Sequence, residues 1–274
     1  MKTKITLLIS VVTVIVLLNA SCKKDIAGPV AKTSTDNVGL SRKVATSLVQ
    51  SFSGKFGGVN VTDGIKAPKL ISPTNNGPVL YGVNIFCGFT IDTSYRYETV
   101  SGDTTNFFGG RFKFTYLCQN SDHVNAYSVI DSVVTASSGP TLNNTYIIAQ
   151  QWTVSALDQT YKYVAINGTQ ALSFFNGTEA PGKGLTDYSK VASDYTFNGL
   201  TVNFTAGPAD IRGTVKFNTI VSTKFNPDVI YKGKIIFSGG NTSAVIDIDN
   251  NDAPGGKSYT VNLVSGQVTP LGSY

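Results

Sequence analysis

Apolar and polar residues alternate along much of the chain after residue 79. In 79–91 every second residue is apolar, ending with Cys87, Phe89 and Ile91. In 108–118 the apolar positions are interleaved with Arg111 and Lys113. Successive side chains of a β-strand point to opposite faces, so both runs predict strands with one buried face and one solvent face.

The pair Gly102-Asp103 lies between these two runs and suits a two-residue hairpin turn. A turn centred there pairs residues whose numbers share a constant sum. It therefore places Ile91 opposite Phe114, Phe89 opposite Tyr116 and Cys87 opposite Cys118. A β-bulge at Gly109-Gly110 is the alternative, and it would shift this register by one residue.

Three later pairs of turn residues predict further hairpins, since each is favoured at the tip of a two-residue turn. These pairs are Asn167-Gly168, Asn198-Gly199 and Gly239-Gly240. The strands that they separate are 161–166 and 169–175, 195–197 and 200–204, and 231–237 and 244–248. Alternation alone predicts additional strands at 126–135, 146–156, 213–222 and 258–268.

Together these segments make about eleven or twelve strands joined mostly by short turns. No helical crossover separates them, so the sheet is predicted to be antiparallel. The fold class is all-β, an antiparallel meander that forms an open barrel or a sandwich. One short N-terminal helix is predicted at 41–53, because five apolar residues share one helical face: Leu40, Val44, Leu48, Val49 and Phe52.

The composition agrees with a packed β domain. Charged residues make up 14% of the chain and hydrophobic residues 41%, which is enough for a core and argues against a disordered or coiled-coil protein. No charged or proline-rich linker divides residues 40–274, which we interpret as a single domain. The net charge of +5 comes from scattered basic residues with no basic stripe, so a nucleic-acid partner is not expected.

The N-terminus has the features of an export signal. Lys2 and Lys4 precede an almost wholly apolar run at 5–18, which is too short for a bilayer span of about 20 residues. Ala20 and Ser21 are small residues, and Cys22 follows them. We predict a signal peptide at 1–21 and a flexible tether at 22–39, where there is little to bury.

The junction Leu18-Asn19-Ala20-Ser21-Cys22-Lys23-Lys24-Asp25 resembles the lipobox of bacterial lipoproteins, in particular those of the Bacteroidota. The resemblance covers about 25 residues of the chain. It implies cleavage before Cys22, acylation of that cysteine, and anchoring in the outer membrane through the lipid. The sequence leaves open whether the protein faces the periplasm or the cell surface.

Cys87 and Cys118 remain as an even pair once Cys22 carries the lipid. An exported protein meets an oxidising compartment, and the predicted register places the two cysteines opposite each other. A disulfide between neighbouring strands is the prediction, and two buried reduced thiols are the alternative. Position 87 falls on a hydrogen-bonded pair of the ladder, so the bridge requires a local irregularity.

The other candidate residues give weaker indications. Asp247, Asp249, Asn251 and Asp252 resemble the start of a calcium loop, but Asp252 stands where such a loop needs glycine, so an acidic turn is the simpler interpretation. His123, the sole histidine, lies in a polar segment that suits a surface loop. Aromatic residues that alternate within strands are explained by cross-strand packing, although a glycan-facing platform is the alternative.

The sequence therefore predicts a lipid-anchored envelope lipoprotein with a structural or binding role, with neither catalytic residues nor a cofactor. The first alternative is a carrier of a lipid or other apolar ligand in an open β-barrel. The second is a glycan-binding or glycan-hydrolysing surface protein. An internal apolar cavity favours the carrier, an aromatic groove with two facing carboxylates favours glycan chemistry, and a filled core favours a structural role.

Overall fold

A computed structural model describes residues 37–55, 59, 61, 65, 86–120, 122–180, 182–204, 210–225, 228–240, 242–249 and 257–271. Asn37–Tyr274 form one compact unit. The predicted signal peptide, Cys22 and residues 22–36 of the tether lie outside the described residues, as do Asn251 and Asp252 of the calcium candidate.

The described residues form one helix and eleven strands. The helix is α1 (Asn37–Phe52), and the strands follow it in chain order. The strands are β1 (Thr90–Ser101), β2 (Thr104–Leu117), β3 (Ala126–Ser138), β4 (Leu142–Ala156), β5 (Tyr163–Ala180), β6 (Gly184–Asn203), β7 (Asp210–Thr223), β8 (Val229–Ser238), β9 (Ser243–Asp249), β10 (Lys257–Asn262) and β11 (Val268–Pro270).

The predicted all-β antiparallel meander with a short N-terminal helix is confirmed. The eleven strands form one sheet in the order of the sequence, and every neighbouring pair is antiparallel. The described strands thus belong to one open sheet rather than to the two sheets of a sandwich. Strands β1 and β11 are its edges.

The first hairpin has the register that its turn predicts. Ile91 pairs with Phe114, and Ser101 pairs with Thr104 on either side of Gly102-Asp103. The pairing passes through Arg96–Gly109 and Tyr95–Gly110 without a shift, so the alternative of a bulge at Gly109-Gly110 is wrong. One turn thereby fixes which residues of both strands face the core.

The predicted strand at 79–91 is confirmed at residues 90 and 91 and is wrong at 86–89. Residues 79–85 lie outside the described residues, and 86–89 form a turn in which the Phe89 amide donates to the Phe86 carbonyl at 3.2 Å. Gly88 has a φ of 79°, which suits the third position of a type II turn. The ladder therefore begins at Thr90, and Cys87 lies just outside it.

Two predicted hairpins are wrong, because both Asn-Gly pairs lie inside long strands. Asn167-Gly168 is part of β5 and Asn198-Gly199 is part of β6. Ile166 pairs with Leu200 but Gly168 pairs with Phe197, so one residue of β5 opposes two residues of β6. This is a β-bulge, in which the Gly199 amide donates to Asn167 Oδ1 at 2.7 Å. The chain reverses instead after Ala180, where the Lys183 amide donates to its carbonyl at 2.9 Å.

The predicted strand at 258–268 is confirmed at 258–262, which belong to β10, and is wrong beyond it, because a turn separates β10 from β11. Asn262 Oδ1 accepts hydrogen bonds from the amides of Val264 and Ser265, at 2.9 and 2.8 Å. An Asn side chain that captures nearby amides in this way competes with the strand ladder. The hairpin at Gly239-Gly240 is confirmed, since it joins β8 to β9.

One face of the sheet carries the core, and α1 packs against it. The helix was predicted at 41–53 and begins earlier, at Asn37, but its apolar face is the predicted one. The Phe52 ring lies 6.1 Å from Trp152 on β4 and 5.9 Å from Phe197 on β6. Residues in register share a face, so the core forms rows across the strands. One wholly apolar row contains Ile91, Phe114, Val129, Trp152, Phe197, Val215, Ile235, Ile246 and Tyr259.

Candidate binding groove

The inner face changes character toward one end of the first four strands. The paired residues Thr99, Asn106, Ser137 and Asn144 form a row of small polar side chains there. The row beside it is Tyr97, Phe108, Thr135 and Tyr146. Alternation continues through both rows, but the large buried apolar side chains that predominate on the rest of the face give way to polar and partly exposed aromatic ones. The sheet therefore ends in a polar margin next to aromatic rings.

A groove of about 540 Å³ lies over this margin. Its volume falls within the range of about 300–1,000 Å³ that is usual for small-molecule sites. Glu98, Phe107 and Ala136 also border the groove, but they occupy the intervening positions of the same strands, so their side chains point to the opposite face. The walls thus combine aromatic rings with hydroxyl and amide groups, all held on paired strands.

The aromatic side of the groove is a packed cluster. The rings of Tyr97 and Phe108 stack with centroids 6.3 Å apart and planes inclined by 22°. Tyr95 lies behind them, 5.2 Å from Phe108 and 6.4 Å from Tyr97. Phe108 is 8% exposed, whereas Tyr97 is 37% exposed. Phe108 therefore supports the ring of Tyr97 from the core side.

A second hollow of about 200 Å³ adjoins the groove at Tyr146. It lies between α1, which contributes Lys43 and Ser47, and the strands β4 to β6. The Tyr146 and Phe174 rings meet edge to face with centroids 5.3 Å apart. Because Tyr146 lines both hollows, the concave region extends from the sheet margin toward the helix.

The groove contains little charge. Among the described lining residues, the one that carries a carboxylate is Glu98, and its side chain points to the opposite face, where Oε2 lies 3.2 Å from the guanidinium of Arg96. Both side chains of this pair are well exposed, so the pair contributes little to stability. Glycoside hydrolysis needs two facing carboxylates, and the described inner rows of the groove provide none.

Asp131 is a buried ionisable group of the inner face that the sequence analysis missed. It faces inward on β3, paired with Phe112 and Gln150, and is 2% exposed. Neither carboxyl oxygen has a hydrogen-bond partner of good geometry within the described structure. Burial raises the pKa of Asp131 to about 7, although the nearby backbone of Ser132 lowers it in part. Burial also raises the pKa of Tyr95, with a smaller contribution from the charge of Asp131. The signal was available, since Asp131 occupies an inward position of an alternating strand.

Beside Asp131, a buried polar ladder connects the sheet to the helix. Gln150 Nε2 donates to Gln170 Oε1 at 3.2 Å, and Gln170 Nε2 donates to Ser51 Oγ at 2.8 Å. Gln150 Oε1 accepts from the Val59 amide at 3.0 Å. Tyr195, the next residue in the row, donates its hydroxyl to the Val44 carbonyl at 3.0 Å. These contacts position α1 on the sheet without leaving the amide groups unpaired.

Cys87 and Cys118 form a disulfide, with Cα atoms 5.5 Å apart. The predicted irregularity is the turn at 86–89, which places Cys87 beyond the end of the ladder. The Gly88 amide donates to the Tyr116 carbonyl at 2.8 Å and holds the turn against β2. A hollow of about 370 Å³ adjoins Cys87, with His123 and Tyr161 in its lining. Since both sulfurs are bonded, this hollow contains no cysteine thiolate.

The acidic cluster of the calcium candidate begins on a strand. Asp247 and Asp249 lie on β9, where Asp247 pairs in register with Lys234 and with Ser258. Asp247 Oδ2 lies 3.3 Å from the Lys234 ammonium, and Oδ1 accepts a hydrogen bond from Ser258. Asp247 is therefore engaged by its neighbouring strands. Within the described residues, no group of three or more His, Cys, Asp or Glu side chains is close enough to hold a metal ion.

Comparison with protein-family models, with curated proteins and with solved structures gives no match for this chain. Among the residues that the structure describes, no helix has the length and apolar character needed to cross a membrane.

Proposed function

We propose that this protein is a non-catalytic lipoprotein of the bacterial outer membrane, anchored through lipid on Cys22, that binds a small ligand in the groove at the sheet margin. The groove is the observation that carries the binding role. It is concave, it has aromatic rings and polar groups on adjacent rows, and its walls come from paired strands.

The anchor is supported by the N-terminal sequence. A short basic start, an apolar run at 5–18 and small residues before Cys22 match the order of a lipoprotein signal. Each buried CH₂ of an acyl chain contributes about 0.8 kcal/mol, so several chains together hold a protein firmly while one chain does not. The tether then allows the β domain to stand away from the lipid surface.

The non-catalytic role is supported by the chemistry of the groove. Glu98, the one described lining residue with a carboxylate, turns its side chain to the opposite face and pairs with Arg96. The strongly shifted carboxyl, Asp131, is buried four residues along β3 from Thr135 and is not among the described lining residues. General acid–base chemistry requires such a group within hydrogen-bond reach of the substrate.

The carrier of a lipid or other apolar ligand is a weaker proposal on this lining. An acyl chain is best matched by flexible aliphatic side chains, but Ala136 is the one aliphatic residue among those that line the groove. The lining favours a ligand that presents both flat and hydrogen-bonding surfaces.

The binding role is tested by blocking the groove. Ser137 lies on the polar row of the groove, so Ser137→Trp should fill the space over it. A library of small neutral fragments is screened by saturation-transfer NMR against the wild-type protein and this variant. We expect a set of fragments that bind the wild type, compete with one another, and lose binding to Ser137→Trp.

The matched control is Ser128→Trp, at the other end of the same strand and outside the groove lining. Ser128→Trp should still bind the fragments. Circular dichroism checks that both variants are folded. Fragments that bind all three proteins equally, or a wild type that binds none, would exclude the groove as the binding site.

A further inference from the structure

We propose that the groove takes a neutral saccharide, with a sugar ring stacked on Tyr97. This inference rests on the proposed binding role and specifies the ligand class of the same site. It follows from three properties of the lining: an available aromatic face, a row of neutral hydrogen-bonding groups, and the scarcity of aliphatic and charged side chains.

The aromatic face is provided by Tyr97. One side of its ring is stacked on Phe108, and the side chain is still 37% exposed. A ring supported in this way loses little conformational freedom when a ligand packs on it. The C–H face of a pyranose is flat and weakly apolar, and it suits the electron-rich face of an aromatic ring. Tyr146, on the same row, presents a second aromatic side chain to the groove.

The hydrogen-bonding groups are neutral and lie along one row. Asn106 and Asn144 each offer an amide donor and an amide acceptor, and the hydroxyl groups of Thr99 and Ser137 can do both. Sugar hydroxyls also donate and accept, so they are satisfied by groups of this kind. The row runs beside the aromatic row, so one ring can meet both rows at once.

The remaining lining argues against charged and acyl ligands. The described lining contains no lysine or arginine, so it offers no counter-charge to an anionic headgroup or phosphate. Lys43 lies in the adjoining hollow, beyond Tyr146. With Ala136 as the one aliphatic lining residue, an acyl chain would lie against hydroxyl and amide groups and leave them unpaired.

The test is direct binding of oligosaccharides to the full-length protein in a polyoxyethylene detergent, which contains no sugar. An array of neutral and acidic oligosaccharides identifies the best neutral glycan, and isothermal titration calorimetry then measures its affinity. We expect Tyr97→Ala to weaken that affinity by about tenfold or more, which corresponds to about 1.4 kcal/mol, because truncation removes the central aromatic contact.

Two further variants keep the result interpretable. Asn144→Ala removes a hydrogen-bonding group without touching the aromatic cluster, and it should also weaken binding. Tyr163→Ala truncates a half-buried tyrosine outside the groove lining and should leave the affinity unchanged. Circular dichroism confirms that each variant is folded.

The result that would overturn the saccharide proposal is an array on which no neutral glycan binds, or one whose hits bind Tyr97→Ala as tightly as the wild type. Retention of acidic glycans alone would overturn it too. Fragments that still require an unblocked groove in the Ser137→Trp experiment would then preserve the binding role while excluding sugar as its ligand.

Discussion

Asp131 is the residue whose environment departs most from what its chemistry favours. A carboxyl group that is 2% exposed, with no hydrogen bond of good geometry to either oxygen, favours its protonated form more strongly than an exposed carboxyl group does. Burial accordingly raises its pKa to about 7 from an ordinary value of 3.8. The neighbouring groups do not supply a positive charge, since its partners in register are Phe112 and Gln150.

This shift predicts how stability depends on pH. Between about pH 4 and 7 the native state retains a proton on Asp131 that the unfolded chain has lost. The contribution of Asp131 to the free energy of unfolding is therefore greatest below pH 4, falls as the pH rises through this window, and is flat above pH 7. The total change is about 4 kcal/mol.

Asp131→Asn should abolish that fall, because an amide does not ionise. We expect the variant to be more stable than the wild type at pH 8 and to show a smaller difference between pH 5 and pH 8. Urea denaturation at the two pH values measures the free energy of unfolding of each protein. Asp103→Asn, in the exposed turn between β1 and β2, should retain the wild-type dependence on pH. An unchanged pH dependence in Asp131→Asn would contradict this account of Asp131.

At the scale of elements, the middle of the sheet is shaped by the bulge between β5 and β6. Asn-Gly is a strong hairpin signal, and the described strands contain it three times without reversing there, at Asn167-Gly168, Asn176-Gly177 and Asn198-Gly199. What decides the outcome is pairing: Asn167 faces Asn198-Gly199 across the two strands, and its side chain accepts the Gly199 amide. Two local turn signals that lie opposite each other can thus make a bulge, which no single window of sequence reveals.

Gly168 shows how closely the strands approach at this bulge. Its φ is 134°, and a Cβ atom there would lie 2.6 Å from Trp152 Cα on β4 and 3.0 Å from Trp152 Cβ. Gly168→Ala should therefore lower the free energy of unfolding by about 2–4 kcal/mol through backbone strain and displacement of Trp152. Urea denaturation at pH 7 measures the loss.

Gly182→Ala is the matched control for that substitution. Gly182 also has a positive φ, 72°, but a Cβ atom there would meet nothing within 4 Å. Gly182→Ala should lower the free energy of unfolding only by the cost of backbone strain, about 1–2 kcal/mol. Losses of equal size at the two positions would mean that close strand packing at Gly168 is not what requires glycine.

The same elements show what the sequence could predict. The first hairpin and the apolar face of α1 followed from period and turn chemistry alone, because both depend on residues close in the chain. The long strands β5 and β6 did not, since their length is set by pairing with β4 and β7 rather than by local signals. The sequence placed Cys87 correctly opposite Cys118. The strand that it assigned to Cys87 is instead a turn, and β1 begins only after that turn.

At the scale of the molecule, the candidate site could not be predicted from a motif. Its polar row takes one residue from each of four strands, and each of Thr99, Asn106, Ser137 and Asn144 is ordinary in its own segment. They form one site because the register aligns them. The apolar contact of α1 through Phe52 is made with Trp152, which lies on a different row of the inner face. Asp131 and the residues of this row all occupy inward positions of alternating strands. The alternation alone therefore did not distinguish them from core residues.

The role proposed for the molecule depends above all on where it is held. A β domain with a saccharide groove on a short tether serves a membrane surface only if Cys22 carries lipid. The groove and the anchor are separate features, since the groove lies within Asn37–Tyr274 and Cys22 precedes that unit. The anchor therefore needs its own measurement.

That measurement is metabolic labelling of bacteria expressing the full chain with alkyne-palmitate, followed by mass spectrometry of the N-terminal peptide. We predict a labelled protein whose first residue is Cys22 and whose peptide carries the mass of attached acyl chains, and no label in Cys22→Ser. An unlabelled wild-type protein, or an N-terminal peptide that begins elsewhere and carries an unmodified Cys22, would contradict the lipoprotein account.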